Sequence, residues 1–165
     1  MHDFLIVFCG KYLIYIAALA LAAYWLLTPR PIKIELALTA LIALPLAYAL
    51  ARVAGQFFSH QQPFATEGFA PLIPHAVDNA FPSDHATAMA VLSEIGFAYN
   101  RWLGAVLALL AIAVGFARVL AGLHYPIDIV AGYAIGIASA ALAYYLVHLY
   151  FRARPHTVGH DTRTD

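Results

Sequence analysis

The chain of 165 residues is 63% hydrophobic and only 11% charged, against about 45–50% and about 25% in soluble domains. One domain fits that length, and a soluble globule cannot hide that much apolar surface, so disorder, nucleic-acid binding and a disulfide-rich secreted module are excluded. Net charge is zero and Cys9 is the single cysteine, which excludes an internal disulfide and a thiolate metal cluster.

A bilayer crossing needs about 20 mostly apolar residues, and the chain offers five candidates. The first runs over about 4–27 and is too long, with Asp3 and no early cationic cluster, for a cleavable signal peptide. Thr28-Pro-Arg-Pro31 breaks it, and a second span covers about 34–58 with Pro45 as a kink. Residues 59–82 are rich in His, Gln, Pro, Asp and Asn and read as a long loop with at most a short interfacial helix. Helicity resumes over 83–99, where Ser83 or Asp84 can act as N-cap. After the Asn100-Arg101 turn come spans over 102–121 and 125–150, with Pro126 suited to a first helical turn. The expected architecture is an all-α polytopic bundle of about five transmembrane helices in one domain, 1–151, followed by a polar cytoplasmic tail, 152–165.

Five crossings put the amino end, the 59–82 loop and the segment around His124 on one side. Arg30, Lys33, Arg101, Arg152, Arg154 and Arg163 fall on the other, against only Lys11, Arg52 and Arg118 on the first. The positive-inside rule makes the arginine-rich side cytoplasmic, so the long loop faces outward.

Ionisable groups near bilayer depth are costly and default to functional candidates. His60, His75, His85 and His124 fall on the outer-side segments with Arg52, Arg118, Asp84 and Asp128. Phe81-Pro-Ser-Asp-His85-Ala-Thr87 opens a helix, and the unpaired amides of a helix N-terminus favour anions. In Arg118-Val-Leu-Ala-Gly-Leu-His124-Tyr-Pro-Ile-Asp128 a helix break can fold the cation back toward the imidazole. The four-residue step from His124 to Asp128 lets the carboxylate accept a hydrogen bond from one ring nitrogen and leaves the other free as a nucleophile. His60 and His75 either join this site or are simply solvated. Glu94, two and a half turns into the third span, reads as a buried, paired or protonated carboxyl rather than a catalyst.

At these residues the chain resembles the type 2 phosphatidic acid phosphatase family of membrane lipid phosphatases. That family's Ser-Arg-x5-His-x3-Asp signature is matched by Ala117-Arg118-x5-His124-x3-Asp128, and its Pro-Ser-Gly-His signature by Pro82-Ser83-Asp84-His85. Its Lys-x6-Arg-Pro signature is degraded: Gln62-Pro63-Phe64 stands where Arg-Pro-Phe is expected, and Arg52 is the candidate upstream cation at a spacing of ten. The run from Leu72 to Thr87 is similar to the branch that dephosphorylates undecaprenyl diphosphate and confers bacitracin resistance.

The resemblance implies cofactor- and metal-free hydrolysis of a polyprenyl diphosphate in the bacterial cytoplasmic membrane, at an active site facing the exterior. It makes His124 the nucleophile, Asp128 its orienting carboxylate and His85 the general acid and base. Arg118, Ser83, Arg52 and Gln62 would bind the phosphate, Gln62 through a neutral hydrogen bond and Arg52 supplying the charge that the usual motif cations would bring, with His60, His75 and Asp84 as further candidates. Two other functions stay open: a phosphatase or phosphotransferase acting on another lipid phosphate, such as phosphatidylglycerophosphate or phosphatidate, or a non-enzymatic transporter or sensor subunit.

Overall fold

The computed structural model describes residues 1–153 and contains six helices among them. Helix α1 covers His2–Leu27 and α2 covers Arg30–Phe57, with Pro45 in its interior. The short α3, Pro63–Glu67, ends at Gly68, whose φ of 74° is left-handed. Helix α4 covers Asp84–Tyr99, α5 Arg101–Leu120 and α6 Pro126–Arg152. The tail expected to be polar and cytoplasmic, with Arg154 and Arg163, lies beyond residue 153 and so outside the described residues.

The long helices are apolar on every face and bury only a narrow stripe. Helix α1 buries Gly10, Leu13, Ala17 and Leu21, while Phe4, Phe8, Tyr15, Leu19 and Leu27 are exposed. Helix α2 buries Leu36, Thr39, Ala43, Ala47 and Ala51. Spacings of three and four place each stripe on one side of its helix. Small residues inside and large apolar ones outside fit a lipid solvent, where close van der Waals packing rather than exclusion of water joins the helices. Among the described residues four helices, α1, α2, α5 and α6, are long and apolar enough to cross a bilayer.

Helix α4 differs from them. Its 16 residues rise about 24 Å, and nine of them are buried, from Ala86 to Gly96. It is the central post: α5 and α6 pack along it, α1 lies against α5, and α2 lies against α6 and α4. Contact between α1 and α2, and between α5 and α6, is slight, which leaves a cleft on each flank. One, of about 270 Å³, is lined by Ile112, Phe116, Val119, Ile129 and Tyr133. The other, of about 360 Å³, lies among α1, α2 and α4 and has Asp84 and His85 in its wall. Glu94 is half-buried on α4, and among the described residues no hydrogen bond or ion pair engages its carboxyl.

Caps and cross-helix bonds establish which ends lie together. Asn100 Oδ1 accepts the amides of Trp102 at 3.0 Å and Leu103 at 3.1 Å, starting α5 one residue after α4 stops. Near that end the Tyr24 hydroxyl donates to the Tyr99 carbonyl at 3.1 Å, so the end of α1 is level with the end of α4. At the opposite end the Ser83 amide donates to the Asp128 carbonyl at 3.1 Å, tying the starts of α4 and α6.

Glycines set the α4–α6 distance. A Cβ on Gly136 would stand 2.6 Å from that of Ala90, and one on Gly132 would stand 2.8 Å from the Ser83 carbonyl oxygen. Neither approach tolerates a side chain without movement of the helices. Gly136→Ala is therefore expected to lower stability in detergent by about 1–3 kcal/mol, read as a fall in the thermal unfolding midpoint. An unchanged midpoint would mean that the two helices separate freely.

Candidate active site

The site is built where four pieces of the chain meet: the last turn of α5 with the break after it, the first turn of α4, the first turn of α6, and the loop stretch before Pro82. Arg118 closes α5 and is buried, with 4% of its surface exposed. Gly122, at φ 77°, turns the chain, and His124 then points back into the bundle, also buried. The folding back of Arg118 toward His124 that the spacing suggested is present: a guanidinium nitrogen lies 3.4 Å from His124 Nε2.

The other ring nitrogen behaves differently from expectation. His124 Nδ1 lies 2.9 Å from the Ala80 carbonyl oxygen but 3.6 Å from Asp128 Oδ2. A carbonyl can only accept, so Nδ1 carries the hydrogen and donates it to Ala80, not to the carboxylate. In that tautomer Nε2 carries the lone pair and accepts the Arg118 N–H at 3.4 Å. The Asp128 carboxylate, fully buried at the start of α6, lies alongside: its Oδ2 accepts the Tyr125 amide at 2.8 Å and stays within Coulomb range of the imidazole.

Arg118 is a buried cation that forms no ion pair among the described residues, and its Nε has no acceptor. An unpaired charge out of water is expensive, and the anion that would relieve it would contact His124 Nε2 as well. Ser83 contributes from the start of α4. Its buried hydroxyl oxygen is 3.5 Å from the Ala86 amide, its carbonyl accepts the Thr87 amide, and the first-turn amides of α4 face outward from the helix end. His85, one residue into the same turn, is half-buried and lines the larger cleft.

The residues expected to replace the missing cations are placed otherwise. Gln62 is buried, but its amide group donates to the Asp78 carboxylate and to the Ala76 carbonyl at 3.3 Å, and its oxygen accepts the Asp78 amide at 3.1 Å. Both its N–H groups are committed to the loop, so none remains for a phosphate oxygen. Arg52 forms an exposed ion pair with Asp84 and lies over the ring of Tyr48. It meets the mouth of α4 through that carboxylate and makes no contact with His124 or Arg118. His75 Nε2 lies 3.9 Å from Asp78 Oδ1. Burial, reinforced by Arg118 and opposed by Asp78, holds its pKa below the ordinary imidazole value.

His60 does join the centre, with Nε2 3.0 Å from Asp128 Oδ1. Asn79 is the residue that sequence reasoning missed. Its amide donates to the Gly55 carbonyl at 2.9 Å and the Phe81 carbonyl at 3.0 Å, while its oxygen accepts the amides of His60 and Phe81. It thereby pins the end of α2, His60 and the segment holding Ala80 together.

The sequence matches the PAP2 superfamily over residues 36–152. It is 35% identical to the "Bacitracin transport permease protein BcrC" of Bacillus licheniformis, over 84% of this chain and 68% of that one. It is 32% identical to the "Undecaprenyl-diphosphatase BcrC" of Bacillus subtilis (strain 168), over 91% and 74%. A lipid A 1-phosphatase of Rhizobium etli is 33% identical over 58% of this chain and 43% of its own length. The crystal structure of Aquifex aeolicus LpxE shares the fold, with a TM-score of 0.69 at 22% identity over 88% of each chain.

The hydrogen bonds of Gln62 assign it to the loop, and a variant separates that role from phosphate binding. Gln62→Ala is expected to loosen residues 76–79 by about 1–3 kcal/mol, the cost of unpaired polar groups, read as faster amide exchange there. Orthovanadate affinity should stay within about threefold, whereas Arg118→Met should weaken it at least about tenfold, as loss of a charge-assisted contact does. The reverse ranking would return Gln62 to the anion site.

Proposed function

The chain belongs to the PAP2 superfamily and is a membrane lipid phosphatase, and we propose that it hydrolyses undecaprenyl diphosphate to undecaprenyl phosphate through a phosphohistidine. The observation that carries this reading is the buried, unpaired Arg118 beside a His124 whose Nδ1 is committed to Ala80. An anion drawn to the guanidinium is brought against the one imidazole nitrogen that holds a lone pair.

In the proposed sequence His124 Nε2 attacks the terminal phosphorus as the bond to the bridging oxygen breaks. His85 gives its proton to that oxygen, and the lipid monophosphate leaves. The phosphorylated imidazole becomes cationic, and Asp128 Oδ2, at 3.6 Å from Nδ1, offsets that charge. His85, now neutral, takes a proton from the water that attacks phosphorus, and the N–P bond breaks to release inorganic phosphate and regenerate His124. Arg118, the Ser83 hydroxyl and the α4 amides would hold the equatorial oxygens, where transition-state charge gathers. The Arg52–Asp84 pair stands at the mouth of the site, where Arg52 would act on the headgroup by charge at a distance. The positive-inside bias favours an active site on the exterior face of the cytoplasmic membrane.

The lipid A 1-phosphatase relative supports a second reading, in which the substrate is a phosphomonoester on another lipid. Phosphate release from a panel of undecaprenyl diphosphate, phosphatidylglycerophosphate, phosphatidate and lipid A in detergent separates the two. The diphosphate is expected to be turned over fastest, and a monoester preferred over it would replace the proposal. His124→Ala and His85→Ala should each fall by at least about 10³-fold, as removal of a nucleophile or its proton donor does, in protein that remains monodisperse. Acid-labile, base-stable phosphate on the wild-type chain but not on His124→Ala would mark the intermediate.

Vanadate, which adopts the five-coordinate geometry of a transferring phosphoryl group, is expected to inhibit at micromolar concentrations. EDTA should leave the rate unchanged, because the charge-stabilising groups named here belong to the chain. Loss of activity on chelation with recovery on adding a divalent ion would contradict the mechanism.

A further inference from the structure

His60 has no part in the mechanism just described, yet its ring sits at the far side of the carboxylate on which that mechanism depends. Asp128 Oδ2 is occupied by the Tyr125 amide and faces His124, whereas Oδ1 faces only His60 Nε2, at 3.0 Å. Both Oδ1 and Nε2 are buried atoms, and neither has another hydrogen-bond partner. The two atoms are within hydrogen-bond distance of each other, and a hydrogen on Nε2 would satisfy both. An unprotonated Nε2 at that distance would set two lone pairs against each other beside a buried negative charge, so the proton belongs on Nε2.

The rest of His60 is held for this purpose. Its ring lies edge-on to Tyr125, with centroids 5.5 Å apart, and 6.1 Å from the ring of Phe81. Its amide donates to Asn79, and its carbonyl accepts the Ala80 amide at 2.9 Å. The residue that supplies the acceptor for His124 Nδ1 is thus bonded to the backbone of His60. Backbone and side chain of one residue hold both supports of the nucleophile, the Ala80 carbonyl and the Asp128 carboxylate.

We propose that His60 is a positioning residue: its Nε2–H holds Asp128 Oδ1 so that Oδ2 stays beside His124 Nδ1 when the imidazole becomes cationic. This rests on the phosphohistidine reading above. A carboxylate supported on one oxygen only can swing away from the ring it should stabilise; one held on both cannot. His60 does not touch the substrate, so its contribution falls on the chemical step and not on binding.

Two substitutions separate the hydrogen bond from the packing. His60→Phe keeps an aromatic ring against Tyr125 and Phe81 but has no donor; His60→Gln keeps a donor at the reach of Nε2 and loses the ring. With undecaprenyl diphosphate in detergent, His60→Phe is expected to lower kcat about 10- to 100-fold, the usual cost of losing a supporting hydrogen bond around a reactive ligand, with KM within about twofold. His60→Gln is expected to recover most of the rate. Wild-type kcat in His60→Phe, or Gln as slow as Phe, overturns the proposal, as does a change confined to KM, which would make His60 a substrate contact. If His60→Phe does not assemble, His60→Ala is set against His60→Gln, and equal rates overturn it. His124→Ala in the same assay keeps the two readings apart. Its survival removes the phosphohistidine, whereas an inactive His124→Ala beside a fully active His60→Phe removes only the role of His60.

Discussion

The near contact of α4 with α6 is the constraint on which everything else depends. Gly132 and Gly136 let the backbones approach until the Ser83 amide reaches the Asp128 carbonyl. That one bond sets two helix N-termini side by side. Each brings what a helix start offers, unpaired amides and the positive end of a dipole, to the same small volume. The buried carboxylate of Asp128 is tolerable there because the first turn of its own helix and the Tyr125 amide stabilise it. A bulkier pair of helices would carry the same side chains and hold them ångströms apart.

Much of this is written locally in the chain. The apolar spans, Ser83 as N-cap, Pro126 in a first turn, and the register of Arg118, His124 and Asp128 follow from short-range patterns, because helix period and turn chemistry act within a few residues. What the chain hides are supports made across long separations. The Ala80 carbonyl, 44 residues from His124 in sequence, has no side-chain signature, since every residue carries a carbonyl. Gln62 looked like a neutral substitute for an arginine; only the folded loop reveals that Ala76 and Asp78 take both its N–H groups. The pairing of Arg52 with Asp84, 32 residues on, has no local signature either.

The loop between α2 and α4 is therefore less a connection than a second layer. Phe64 and Ile73 join Ala121 and Leu123 in a small apolar cluster of their own, backed by Ile6 and Val7 of α1. Backbone bonds from Phe64 to Gly122 and from Leu72 to Ala121 seal it onto the break after α5. The loop thus delivers Ala80 and His60 from a packed base, which suits groups that must hold a position without touching the reactant.

The shortness of α4 has a consequence for the medium in which the chemistry runs. Because α4 ends level with Tyr24 of α1 and rises only about 24 Å, its Ser83 end stands near Gly10, leaving the first turns of α1 and the loop cluster above it. Gly10 indeed meets Ile73 of the loop and Ala117 of α5. The guanidinium of Arg118 is consequently shielded from the ionic atmosphere that surrounds headgroups at the surface. Dissolved salt screens charges over about 8–10 Å in open solution but penetrates poorly into such a recess. The hold of this protein on an anionic headgroup should thus depend far less on ionic strength than that of a peripheral protein that docks on the same membrane through surface lysines.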